Sequence, residues 1–80
     1  MVNEMLPDLE LQSEIYVNGQ RLHEDRHFLD HIVHEVPIQI YLGREHQDIG
    51  FVEQFSTSHV RVNHIDYDRS RFTFISRPGY

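Results

Sequence analysis

His23-Glu24-Asp25-Arg26-His27 reads as H-E-x-x-H. On a helix that spacing puts two imidazoles on one face, where they hold zinc while the glutamate activates water. Such hydrolysis also needs a third ligand and a walled cleft, and an 80-residue chain has little material for one. The match is read as a coincidence of spacing, and no enzymatic activity is expected. His31 and His34 extend the same stripe, so four histidines share one narrow side of a helical wheel. The simplest reading is a solvated, histidine-rich face. A contact surface that charges near neutrality is a second reading. Metal binding by an i,i+4 pair, with His27 and His31 as candidates, is a third. Neither a metal centre nor a cofactor is expected.

A second group lies downstream. Arg61, His64, Arg69, Arg71 and Arg77 interleave with Tyr67, Phe72, Phe74 and Tyr80. Guanidinium groups beside aromatic rings suit single-stranded nucleic acid, which is gripped by charge and by base stacking. The competing reading puts Phe72 and Phe74 on the core side of a strand and the arginines on the other side. Ser56 and Ser58 read as turn residues. Asp48 and Glu53 form a carboxylate pair with no cleft argued around them.

The totals narrow the classes. So short a chain forms one small domain of marginal intrinsic stability, for which association with further copies is a common remedy. There is no cysteine, hence no disulfide and no thiolate metal site. No apolar run approaches the roughly 20 residues that cross a bilayer, and the acidic start MVNEMLPDLELQSE lacks the pattern of a secretory leader. A cytoplasmic protein without a membrane partner is expected. Of the net charge of −6, all resides in residues 1–35, where eight acids face Arg21 and Arg26. Residues 36–80 balance five acids against five arginines. Non-specific nucleic-acid binding through bulk charge is therefore excluded, whereas a local arginine patch is not.

Residues 1–13 read as an acidic flexible arm and 14–80 as the domain. Asn18-Gly19 suggests a type I′ hairpin over 14–22. Phe28, Leu29, Ile32 and Val33 predict the apolar face of a helix over 24–35, ended by Pro37. Strands fall within 37–77: Pro37–Leu42 with Ile38, Ile40 and Leu42 on one face and Gln39 and Tyr41 on the other, then Ile49–Phe55, His59–Asn63 and Phe72–Ser76. Gly43–Asp48 and Asp66–Ser70 read as polar connections, and Gly50 as a bend or close approach. The expected class is mainly β with one N-terminal helix, a small barrel of short bent antiparallel strands.

Several of these residues carry a family resemblance. FLDHIVHE, then Val36-Pro37-Ile38-Gln39-Ile40-Tyr41-Leu42, then Gly50 and Glu53-Gln54-Phe55 resemble the helix, first strand and second strand of the bacterial Sm-like (Hfq-type) barrels. The similarity covers residues 28–63. It implies an Sm-like or SH3-like barrel with a fifth strand, which the elements above do not supply and which the 14–22 hairpin or a neighbouring subunit would provide. It also implies single-stranded RNA as ligand, with Tyr41 on the binding strand and Phe55 at the position of the phenylalanine after the family's second strand. The family's helix glutamine is absent, and Arg71-Phe72-Thr73-Phe74-Ile75-Ser76 stands in the region of its Y-K-H-A-I-S signature. Gln39, Tyr41, Phe55, Arg71 and Arg77 are thus the expected RNA residues, in a homo-oligomer. A protein-interaction or regulatory module of the same fold, without nucleic acid, is the alternative.

Overall fold

The computed structural model describes residues 16–80; the arm expected over 1–13 and the start of the expected hairpin lie outside them. The elements are β1 (Arg21–Leu22), α1 (Asp25–Val33), β2 (Ile38–Leu42), β3 (Glu45–Gly50), β4 (Val52–Phe55), β5 (His59–Val62), β6 (Ile65–Asp68) and β7 (Thr73–Ser76). They form two antiparallel sheets, β1-β7-β2-β3 and β4-β5-β6, and these do not close into the expected barrel.

Alternation along β2 explains its place. Ile38 and Ile40 are fully buried, while Gln39 and Tyr41 point to the other face. β3 and β4 are halves of one strand course, interrupted at Phe51. The bend forms where Gly50 meets β5: a Cβ there would lie 2.9 Å from Val62 Cγ1 and 3.0 Å from Asn63 Nδ2. Only glycine leaves room for these two side chains so close to the backbone.

Two polar stretches expected as connections are strands. The chain turns at Gly43-Arg44, and β3 starts at Glu45, opposite Leu42. A bulge follows, since Tyr41 pairs with His46 and Ile40 with Asp48. Backbone pairing with β2 holds this segment, so it needs no apolar period of its own. Likewise, Ile65–Asp68 is β6, reached through Asn63-His64 with φ of 53° and 67°. Two successive positive φ angles match the twist of a two-residue hairpin. Counting β3–β4 as one bent strand, β2 through β7 make five runs, so the fifth lies within the chain.

The Asn18-Gly19 turn is real, but its type differs from the expected one. Only Gly19 has positive φ (96°), and the Gln20 N–H bonds to the Val17 carbonyl at 3.0 Å. That is the pattern of a type II turn, which does not favour continuing as a hairpin. The chain runs instead to β7, pairing Arg21 with Ile75 and Leu22 with Phe74. Gly19 N–H bonds to the Ser76 carbonyl and Ser76 N–H to the Gln20 carbonyl, each at 2.8 Å.

The helix also corrects an expectation. Its buried side carries His27, Phe28 and His31, with Ile32 partly covered, whereas Leu29 and Val33 are 50% and 62% exposed. The middle of the histidine stripe, His27 and His31, is therefore not a solvated face, whereas His23 and His34 at its ends are exposed. The helix is rolled by roughly one residue's turn, about 100°, from the face that the apolar residues predict. Burial is tolerated because the imidazole nitrogens have partners. His27 Nδ1 accepts the backbone N–H groups of His23 and Glu24, both at 3.1 Å. His31 bonds to the His27 carbonyl and to Ser76 Oγ, both at 2.7 Å. Phe28, also fully buried, meets Phe74 edge-on at 5.4 Å and ties the helix to the core.

Candidate nucleic-acid interface

Strand register gathers the outer face of the four-stranded sheet. Gln39 lies between Ile75 and Ile49, Tyr41 lies between Thr73 and His46, and Arg21 lies beyond Ile75. Residues paired across antiparallel strands share a face, so these side chains stand opposite the core. Arg77, just past β7, turns its Nε onto Gln39 Oε1 and its Nη1 onto Asn18 Oδ1 at 3.0 Å. The Tyr41 hydroxyl donates to the same Gln39 oxygen at 3.2 Å, and its ring stands edge-on to His46 at 5.4 Å.

The geometry has chemical consequences. Gln39 Oε1 receives two donors, which fixes the amide and leaves its NH₂ pointing to other acceptors. Tyr41 is half-buried, so its ring is held in place with part of its surface open. The paired rows of this face contain no carboxylate. Among the described residues none lies within ion-pair distance of Arg21 or Arg77. Of the two acids of β3, Glu45 pairs with Leu42 in the row beyond, and Asp48 is engaged behind the sheet. It accepts the Tyr67 hydroxyl at 2.7 Å, Ile49 N–H at 2.8 Å and Asn63 Nδ2 at 2.9 Å. Burial pushes its carboxyl up, but these donors outweigh that and hold it below the usual carboxylate value.

Of the five expected RNA residues, the structure brings Gln39, Tyr41 and Arg77 together. The other two lie elsewhere. Phe55 is half-buried at the end of β4, 6.0 Å from the Phe28 ring and packed on the core. Arg71 sits in the turn before β7 with its guanidinium 5.8 Å from the Phe72 ring. Arg21, His46 and Asn18 join the face unforeseen. His46 follows from the unrecognised β3, and Arg21 from a pairing between distant segments. Neither has a local signal, since Glu45–Asp48 holds no apolar residue and Arg21 pairs with a strand more than fifty residues away.

The rest of the arginine–histidine group is committed elsewhere. Arg61 makes a two-pronged bond to Asp66 at 2.8 and 3.0 Å. His64 faces Glu53 at 3.3 Å. Arg69 crosses the Phe28 ring at 4.8 Å, bonds to Asp25 at 2.7 Å and to the His23 carbonyl at 3.1 Å, and also reaches the Ser56 carbonyl. It fastens the helix start to both neighbouring turns. Phe74 is core, as the competing reading predicted. In the H-E-x-x-H segment, His27 Nδ1 serves as a helix cap. Among the described residues no group of three or more potential ligands is placed to hold a metal ion. No described helix is long and apolar enough to cross a membrane. Comparison with family models, curated proteins and solved structures gives no match for this chain.

Proposed function

We propose that the outer face of the β1-β7-β2-β3 sheet binds single-stranded RNA, as a non-enzymatic, Sm-like small fold. The observation that carries this reading is the Gln39–Tyr41–Arg77 cluster on a face whose paired rows, among the described residues, contain no carboxylate, in a chain that is acidic overall. A half-buried ring offers a stacking platform, a fixed amide offers base-edge donors, and Arg21 and Arg77 offer phosphate partners. The helix followed by five strand runs, with the second bent at Gly50, supports the Sm-like part of the reading. Assembly into a homo-oligomer, favoured by the chain's size, would use an edge strand such as β3, β4 or β6. The outer backbone of β7 is already bonded to residues 19–22.

The test is titration with short A-rich and U-rich RNAs at low salt, against Tyr41→Ala and Arg77→Gln. Binding by the parent chain, weakened in both variants, is expected. Absence of binding at low salt rejects the reading. A second reading, a protein-interaction module, is favoured by one feature. A shallow cavity of about 350 Å³ between helix and bend is lined by His31, Ile32, Glu35, Phe51 and Val52, and Phe51 is 53% exposed. Phe51→Ser separates the two readings, since it alters this cavity and leaves the sheet face untouched.

A further inference from the structure

We infer that Tyr16–Leu22 is an acid-released strap, latched over the helix and β7 by two buried histidines that hold it only while uncharged.

Ser76 is the node of the latch. Its backbone N–H and C=O bind the strap at Gln20 and Gly19, and its Oγ meets His31 Nε2 at 2.7 Å. The protons can be placed. The His27 carbonyl can only accept, so His31 Nδ1 carries the hydrogen, and Nε2 accepts a hydrogen bond from the Ser76 hydroxyl. Tyr16 closes the other end: its ring stands 4.4 Å from that of His31 and 5.9 Å from that of His27, and its hydroxyl donates to Asp30 at 2.7 Å.

Acid attacks both histidines in different ways. At His27 the uncharged Nδ1 accepts two backbone N–H groups at the helix start. A proton there turns the acceptor into a donor facing donors, and the cap is lost. At His31, which is fully buried, the added charge has no carboxylate in direct contact among the described residues. Ser76 and Tyr16 face it from β7 and the strap, Phe51 and Val52 border it from the bend, and Glu35 lies at the cavity rim. Along the helix, Asp30 attracts the charge while His27 and His34 oppose it. At His27, Glu24 and Asp30 attract, and His23 and Arg26 oppose.

Burial is the largest influence at both sites and pushes both imidazoles below the ordinary histidine value. The folded chain then binds protons less readily than the unfolded one. The stabilisation is complete above the unfolded value of about 6.5 and drains away as pH falls below it. The added charge is felt first where the histidines touch, at the strap and the helix start. The three-stranded sheet carries its histidines, His59 and His64, on exposed positions.

Backbone hydrogen exchange on the full chain between pH 8 and pH 5, corrected for the intrinsic pH dependence of exchange, tests this. The Gly19 and Ser76 amides should lose protection by up to about tenfold per pH unit for each coupled proton, while amides of β5 and β6 keep theirs. His27→Gln with His31→Gln, which preserves hydrogen-bonding groups without a titration, should abolish that loss. Constant protection at the strap, equal loss in both sheets, or an unchanged pH response in the double variant would each overturn the inference. Should the variant not fold, NMR titration of the parent imidazoles decides. Strap opening must follow the midpoint of His27 or His31, and opening that follows His23 or His34 contradicts it.

Discussion

The two sheets present outer faces of similar residue type and opposite state. On the three-stranded sheet, Arg61 lies beside Gln54 and is tied to Asp66, so charge is answered within the face. On the four-stranded sheet, Arg21 and Arg77 bracket Gln39 and Tyr41, and the paired rows contain no acid. Composition shows five acids and five arginines over residues 36–80, which hold all of these cations except Arg21, and suggests neutrality. The register distributes them unequally. What matters for a polyanion is not the sum of charges but which cations a fold has already neutralised.

The comparison can be broken most forcefully at the joint between the sheets. Gly50→Ala would drive a methyl against the stiff Val62 side chain and should cost about 1–3 kcal/mol of stability by denaturant unfolding. A single cooperative loss would show that both faces depend on one folding unit; two separate transitions would show independent sheets. On binding rather than stability, Tyr41→Ala should cost about 1–3 kcal/mol, roughly tenfold or more in affinity, with the melting curve little changed. An unchanged affinity would move any RNA contact off this face. Arg21→Gln and Arg77→Gln should each lower the slope of log affinity against log salt by about 0.7, whereas Arg61→Gln should leave it alone. Equal slopes for all three would erase the contrast between the faces. The smallest effect belongs to Asp66→Asn, which removes an exposed pair worth little to folding. Its thermal midpoint should stay in place, and a slight gain in RNA affinity from the unpaired Arg61 would sharpen the comparison.

Legibility followed the periodicity of apolar side chains. β2 could be read residue by residue because Ile38 and Ile40 alternate with Gln39 and Tyr41, and three of the five expected site residues meet there or beside it. Glu45–Asp48 could not, because a strand whose side chains face water carries no apolar signal and is held by backbone pairing. The helix was located correctly, but its orientation was not. Leu29 and Val33 attract a pattern-based reading, while the actual choice turned on hydrogen-bond partners for His27 and His31, one of them 45 residues away. Arg69 was indistinguishable in sequence from Arg77. Its confinement depends on the Phe28 ring, Asp25 and two carbonyls brought together by the fold.

The pairing of the strap with β7 also bears on the order in which this protein is built. During synthesis Leu22 emerges long before Phe74, and the His23 carbonyl must wait for Arg69, 46 residues later. Closing such long loops is slow, and the early segments gain nothing until it happens. The nascent helix therefore travels with both histidines in water and ordinarily basic. They become hard to protonate only when β7 arrives, so the docking of that strand is itself a change in proton affinity at the helix.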